Sequence, residues 1–116
     1  MKQQAGFTLI ELIMVIVILG ILAATALPKF VDLSADAKVA ATKGVAGALA
    51  SAGSINYGSR KVNASYGVAT TGLACSAIGG IMEGGFPSGY TIGGTVPNCT
   101  VSDDTTTITV MVPAVN

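Results

Sequence analysis

The sequence predicts an α+β fold, one long N-terminal helix laid on a small antiparallel sheet, and three observations carry that prediction. From Phe7 to about Ser59 the residues are compatible with helix, with Pro28 the only proline. From Asn63 onward Gly, Ser, Thr and Pro punctuate short apolar runs. The last such run, Thr107 to Val112, alternates, with Ile108, Val110 and Val112 on one face and Thr107, Thr109 and Met111 on the other, the signature of a half-buried strand.

The first element opens with a short polar leader carrying Lys2, then runs Phe-Thr-Leu-Ile-Glu-Leu-Ile-Met-Val-Ile-Val-Ile-Leu-Gly-Ile-Leu-Ala-Ala-Thr-Ala-Leu from Phe7 to Leu27. At about 1.5 Å per residue this helix spans roughly 30 Å, the hydrocarbon thickness of a bilayer. It holds a single acidic residue, Glu11. An ionised carboxylate there costs several kcal/mol unless paired, so Glu11 requires a partner or a purpose. The run is too long for the apolar region of a secretory signal peptide, and no small-x-small cleavage site follows it. The polar-to-apolar boundary at Gly6 is the more natural processing point.

Past Pro28, apolar and small residues recur at Phe30, Leu33, Ala37, Ala40, Gly44, Ala48, Ala52 and Ile55, a spacing that predicts one sheet-covering stripe. Ser34 ahead of Ala35-Asp36 can cap a restarted helix, which places a bend near Leu33. Residues Asn63 to Gly85 read as a loop with one helical turn at Ala74 to Ile81. Gly93-Gly94, between Tyr90-Thr91-Ile92 and Thr95-Val96, signals a two-residue hairpin, and Asp103-Asp104 turns the chain back onto Cys99 to Ser102. A three- or four-stranded antiparallel meander on the amphipathic half-helix follows.

Gly6-Phe7-Thr8-Leu9-Ile10-Glu11 with its apolar helix resembles the class III signal of type IV pilins and of the related type II secretion pseudopilins. Ala26-Leu27-Pro28-Lys29-Phe30-Val31-Asp32-Leu33, Ala35-Asp36-Ala37-Lys38-Val39-Ala40 and Gly85-Phe86-Pro87 look most like type IVa pilins of the mannose-sensitive haemagglutinin type. The resemblance implies that a prepilin peptidase cuts after Gly6 and that the new N-terminal Phe7 is methylated. It implies residues 1–6 as a leader, 7–28 as the transmembrane and filament-core helix, and 29–116 as a globular pilin domain. Within that domain the helix is expected to about 59, a loop over 60–85 and the meander over about 86–116. Glu11 and the Phe7 amine are expected to pair between subunits during assembly, and Gly20 to Pro28 to be the stretch that unwinds. Gly20 costs about 1 kcal/mol relative to Ala, and Pro28 removes the hydrogen bond to the carbonyl of Ala24. Gly20 and Ala24, four apart, also offer a surface for close helix approach.

Composition is consistent with a small exported subunit. Of 116 residues 51% are hydrophobic and 10% charged, and much of the apolar content sits in the N-terminal run, leaving little for a globular core. A staple is therefore expected. In an exported chain an isolated pair, Cys75 and Cys99, defaults to a disulfide, worth about 3 kcal/mol for a loop of this length; two reduced thiols are the alternative. Two cysteines without histidine leave zinc short of ligands. The chain has no His, which excludes Ser/His and Cys/His nucleophilic pairs and argues against an enzyme. Glu83, Asp103 and Asp104 lack the spaced oxygen ligands of a calcium loop, so no metal or cofactor is expected. Asn63-Ala64-Ser65 and Asn98-Cys99-Thr100 match a glycosylation pattern that arises often by chance. Six basic and six acidic residues cancel, and Arg60-Lys61 is the only basic pair, so no nucleic-acid surface is expected.

The expected function is the structural subunit of an extracellular type IV pilus serving adhesion or motility. It starts as a single-pass inner-membrane precursor and becomes a homopolymeric helical filament through the peptidase and the inner-membrane assembly machinery. The alternatives are a type II secretion pseudopilin and a single-pass anchor for a periplasmic domain.

Overall fold

The computed structural model describes residues 2–116; Met1, within the expected leader, lies outside the described residues. One helix, α1, runs Leu9–Val62 with Pro28 inside it. A 3-10 helix, Cys75–Ile81, and three strands, β1 (Thr91–Thr95), β2 (Asn98–Ser102) and β3 (Thr107–Met111), follow. The chain divides into two compact units, one ending at Asp36 and the other Ala37–Asn116.

The fold class is the α+β arrangement expected. The sheet is a plain meander, β1-β2-β3, antiparallel throughout. The 3-10 helix falls where the helical turn was expected. Ile108 and Val110 are half-buried and Val112 fully buried, whereas Thr107, Thr109 and Met111 face outward. The core of the second unit joins Ala46 and Leu49 of α1 to Cys75, Ile78, Ile92, Val96, Cys99, Val101 and Val112. Cys75 and Cys99 form a disulfide across its centre, with Cα atoms 5.7 Å apart and both residues fully buried.

Three readings need correction. The helix does not restart at Ser34: it is unbroken to Val62, a little past the expected end near Ser59. A run of Ala, Lys and Val after Ser34 sustains the i to i−4 ladder without a cap.

The buried stripe is also a different one. Thr42, Ala46, Leu49, Gly53 and Asn56 face the core, while Phe30, Leu33 and Ile55 of the expected stripe remain 68%, 62% and 69% exposed. Between Ala37 and Ala52 the helix is so rich in Ala and Gly that spacings of three and four can be drawn on several faces. The face selected holds Leu49 and also Gly53, where a Cβ would come within 2.7 Å of Val112 Cγ1. Its two polar members are hydrogen-bonded. Thr42 Oγ1 donates to Asp103, and Asn56 Nδ2 donates to Val68 O while its Oδ1 accepts from Val68 N–H.

The β1–β2 turn is not Gly93-Gly94. Thr95 pairs with Asn98, so Val96-Pro97, joined by a cis peptide, makes the connection and both glycines lie within β1. They serve close approach instead. A Cβ on Gly93 would meet Thr100 Oγ1 at 2.9 Å, and Gly94, at φ +85°, turns toward the Asn98 carbonyl.

The long loop is tied down by Thr70, fully buried. Its N–H donates to Val115 O at 2.7 Å, and its hydroxyl joins Pro113 O and Val115 N–H. Ala74 bridges Thr95, and Val96 N–H donates to Leu73 O, so the loop's end lies along β1.

Candidate functional site

Gly6 and Phe7 precede the helix, and Phe7 is 91% exposed. The first turn of α1 is closed by a capping box. Thr8 Oγ1 accepts from the Glu11 N–H at 3.3 Å, and Glu11 Oε2 accepts from both the backbone N–H and the hydroxyl of Thr8, each at 2.8 Å. The helix start supplies orphan N–H groups and a positive dipole end, so the one carboxylate in the apolar run sits where a helix holds an anion best. Ala5, Gly6, Phe7 and Glu11 together line one shallow recess of about 200 Å³. The structure thus brings the expected cleavage junction and the expected assembly carboxylate into one place. The signal for the box was legible as Thr-x-x-Glu ahead of an apolar run, and Thr8 is the residue the sequence reading missed.

Leucine, isoleucine, valine and methionine side chains from Leu9 to Leu22 are all exposed. An apolar surface of this extent in water requires lipid or other protein around it. Just past it Thr25 satisfies its own hydroxyl, donating to Leu22 O at 3.0 Å. Such back-bonding tends to bend helices, and it falls between Gly20 and Pro28. Helix runs continuously through that stretch, and a Cβ on Gly20 would meet nothing within 4 Å. Among the described residues, no packing therefore demands glycine at position 20.

Glu83, Asp103 and Asp104 are not brought together as ligands: among the described residues no group of three His, Cys, Asp or Glu side chains could hold a metal ion. Asp103 instead organises the β2–β3 turn. Its Oδ1 accepts from Thr105 N–H at 2.8 Å and Thr106 N–H at 2.6 Å, and its Oδ2 from Thr42 Oγ1 on α1 at 2.9 Å. These donors, the Thr105 N–H foremost, hold its carboxyl down at about 2.

Residues 1–27 match the prokaryotic N-terminal methylation motif. The chain is 43% identical over 110 residues to the major component of the type IV narrow pilus of Thermus thermophilus, covering 91% of this chain and 87% of that protein. It is 45% identical over 76 residues to a fimbrial protein of Eikenella corrodens, 61% of this chain and 50% of the relative. It is 51% identical over 51 residues to type II secretion system core protein G of Pseudomonas aeruginosa, 44% of this chain and 36% of the relative. This chain therefore spans half or less of the latter two proteins. No solved structure matches.

Proposed function

Because the chain belongs to the type IV pilin family, related to the type II secretion pseudopilins, we propose how its N-terminus builds a pilus. The protein is a structural subunit of a type IV pilus. The observation that carries the mechanism is the Thr8–Glu11 box at the head of an exposed apolar helix.

A prepilin peptidase cuts between Gly6 and Phe7 in the inner membrane, and the new Phe7 amine is methylated. That amine, methylated or not, is a base whose protonated form is a cation. Thr8 keeps its N–H after the cut, since the bond broken lies one residue earlier. Glu11 Oε2 therefore stays held from within the chain, while Oε1 carries no hydrogen bond among the described residues. An incoming subunit presents Oε1 to the Phe7 amine of a subunit already in the filament. Each addition neutralises two charges that bilayer or filament core would otherwise leave unpaired. A subunit out of register leaves both unpaired, at roughly 3 to 5 kcal/mol.

On leaving the bilayer, Gly20 to Pro28 unwinds. Glycine, the back-bonded Thr25 and the missing Pro28 N–H make it the weakest stretch of the helix. The product is a homopolymer on the cell surface serving adhesion or motility. Coverage of 87% of a pilus component, against 36% of a secretion protein, supports pilus over pseudopilus.

The test is to shear surface filaments, identify their main protein and read its N-terminus. This chain beginning at methylated Phe7 is the expected result. A filament without it, or a chain retaining Lys2, contradicts the proposal.

A further inference from the structure

Past its apolar run, α1 carries charges at a fixed interval. Lys29, Asp36 and Lys43 recur every seven residues with alternating sign, and all three are exposed. Seven residues make just under two turns, so the series drifts by only about 20° per step and keeps to one face. Asp36 has Asp32 as its i−4 neighbour and no cation three or four residues to either side, an unfavourable place for a carboxylate on a helix surface. We propose that this series is a charge ladder between neighbouring copies of the chain, shifted by seven residues. The incoming copy's Asp36 lies beside Lys29 of the copy already in the filament, and its Lys43 lies beside that copy's Asp36. The proposal rests on the pilus reading and adds a contact beyond Phe7 and Glu11.

Register selects this pairing, not net charge. An incoming Glu11 level with its neighbour's Phe7 amine shifts the two chains by the rise from Phe7 to Glu11. With Phe7 and Thr8 ahead of the helix, that rise is roughly 6 to 10 Å, or about four to seven helical residues. A filament of identical subunits keeps one shift at every level, whether or not Gly20 to Pro28 unwinds. The charges from position 29 to position 43 are Lys29, Asp32, Asp36, Lys38 and Lys43. A shift of four sets Asp32 level with Asp36, and a shift of five sets Lys38 level with Lys43, like charges in both cases. A shift of six makes one opposite pair, Asp32 with Lys38, which lie about 120° apart around the helix. A shift of seven makes two opposite pairs and no like pair, with Asp32 and Lys38 level only with Thr25, Val31, Val39 and Val45. The remaining basic pair is already engaged: Arg60 donates to Ala64 O and Asn116 O, and Lys61 lies 5.3 Å from the Tyr57 ring centroid.

The test inverts the ladder. Asp36→Lys alone sets three cations in a row and should lower the yield of sheared filaments at least fivefold, with cleavage at Gly6 and the subunit's melting temperature unchanged. The triple variant Lys29→Asp, Asp36→Lys, Lys43→Asp exchanges every sign and keeps both rungs, so its yield should return to within twofold of wild type. Wild-type yield from Asp36→Lys, or a triple variant no better than Asp36→Lys, overturns the proposal. A second measurement needs no charge reversal: Lys29→Cys and Asp36→Cys are co-expressed and the filaments treated with a short bismaleimide. The native cysteines are already bridged, so a cross-link reports the added thiols. The expected product is a dimer containing one of each variant. Filaments whose two thiols both react with a simple maleimide yet give no mixed dimer overturn the ladder and leave the pilus reading intact. Absence of filaments from the wild-type chain itself would instead sink the pilus reading.

Discussion

Thr8 and Glu11 satisfy each other: one carboxylate oxygen takes two hydrogen bonds from Thr8, and the Thr8 hydroxyl takes the Glu11 N–H. This reciprocal cap lowers the cost of carrying a carboxylate in an apolar helix. Thr8→Val removes the hydroxyl and keeps the backbone donor. We expect the variant to be cut at Gly6 as usual but to yield several-fold fewer filaments, counted by electron microscopy, because the carboxylate is no longer aimed. Unchanged numbers would show that the hydroxyl has no part in assembly.

Gly20 has open space around it in the subunit. Gly20→Ala should leave subunit folding and processing intact while stiffening the helix by about 1 kcal/mol. If unwinding accompanies assembly, filament yield falls and any filaments formed show more helix between positions 20 and 28. Helix of equal extent in both filaments contradicts the unwinding step.

Glycines 47 and 53 lie on the same helix but should respond with opposite sign. Gly47 is exposed with nothing near its missing Cβ, so Gly47→Ala should stabilise the folded domain by about 0.5 to 1 kcal/mol. At Gly53 a Cβ meets Val112, fully buried and stiff at χ1, so Gly53→Ala should destabilise by about 1 to 3 kcal/mol. Thermal unfolding of detergent-solubilised subunits decides both.

Asp103 ties the β2–β3 turn to α1 through Thr42. Its folded pKa, about 2, lies below its ordinary value of 3.8, so its stabilisation is present above pH 3.8 and is lost as pH falls from there toward 2. Asp103→Asn should lower the melting temperature at pH 7 and flatten its fall between pH 4 and pH 2. A variant with the wild-type acid profile would place the acid sensitivity elsewhere.

How much was legible follows from where the information lay. The long apolar helix, the 3-10 turn and the strand Thr107–Met111 are local patterns, and local patterns survive without a partner. The helix face did not, because Ala and Gly supply contacts on every side and only Val112 and Leu49 choose among them. Thr42 and Asn56 carry no local sign of burial, because that burial depends on Asp103 and Val68, 61 and 12 residues away. The paired glycines of β1 imitate a turn, and only the register shows that they admit a neighbouring strand. Thr8 opens a local Thr-x-x-Glu pattern that the apolar run beside it masks.

The most direct test of charge-paired assembly is Glu11→Val, with membrane insertion, cleavage at Gly6 and surface filaments measured on the same cells. The account predicts normal insertion and normal cleavage, with few or no filaments, since the Phe7 amine has lost its counter-charge. Wild-type filament numbers, or failure of cleavage as the sole defect, would contradict it.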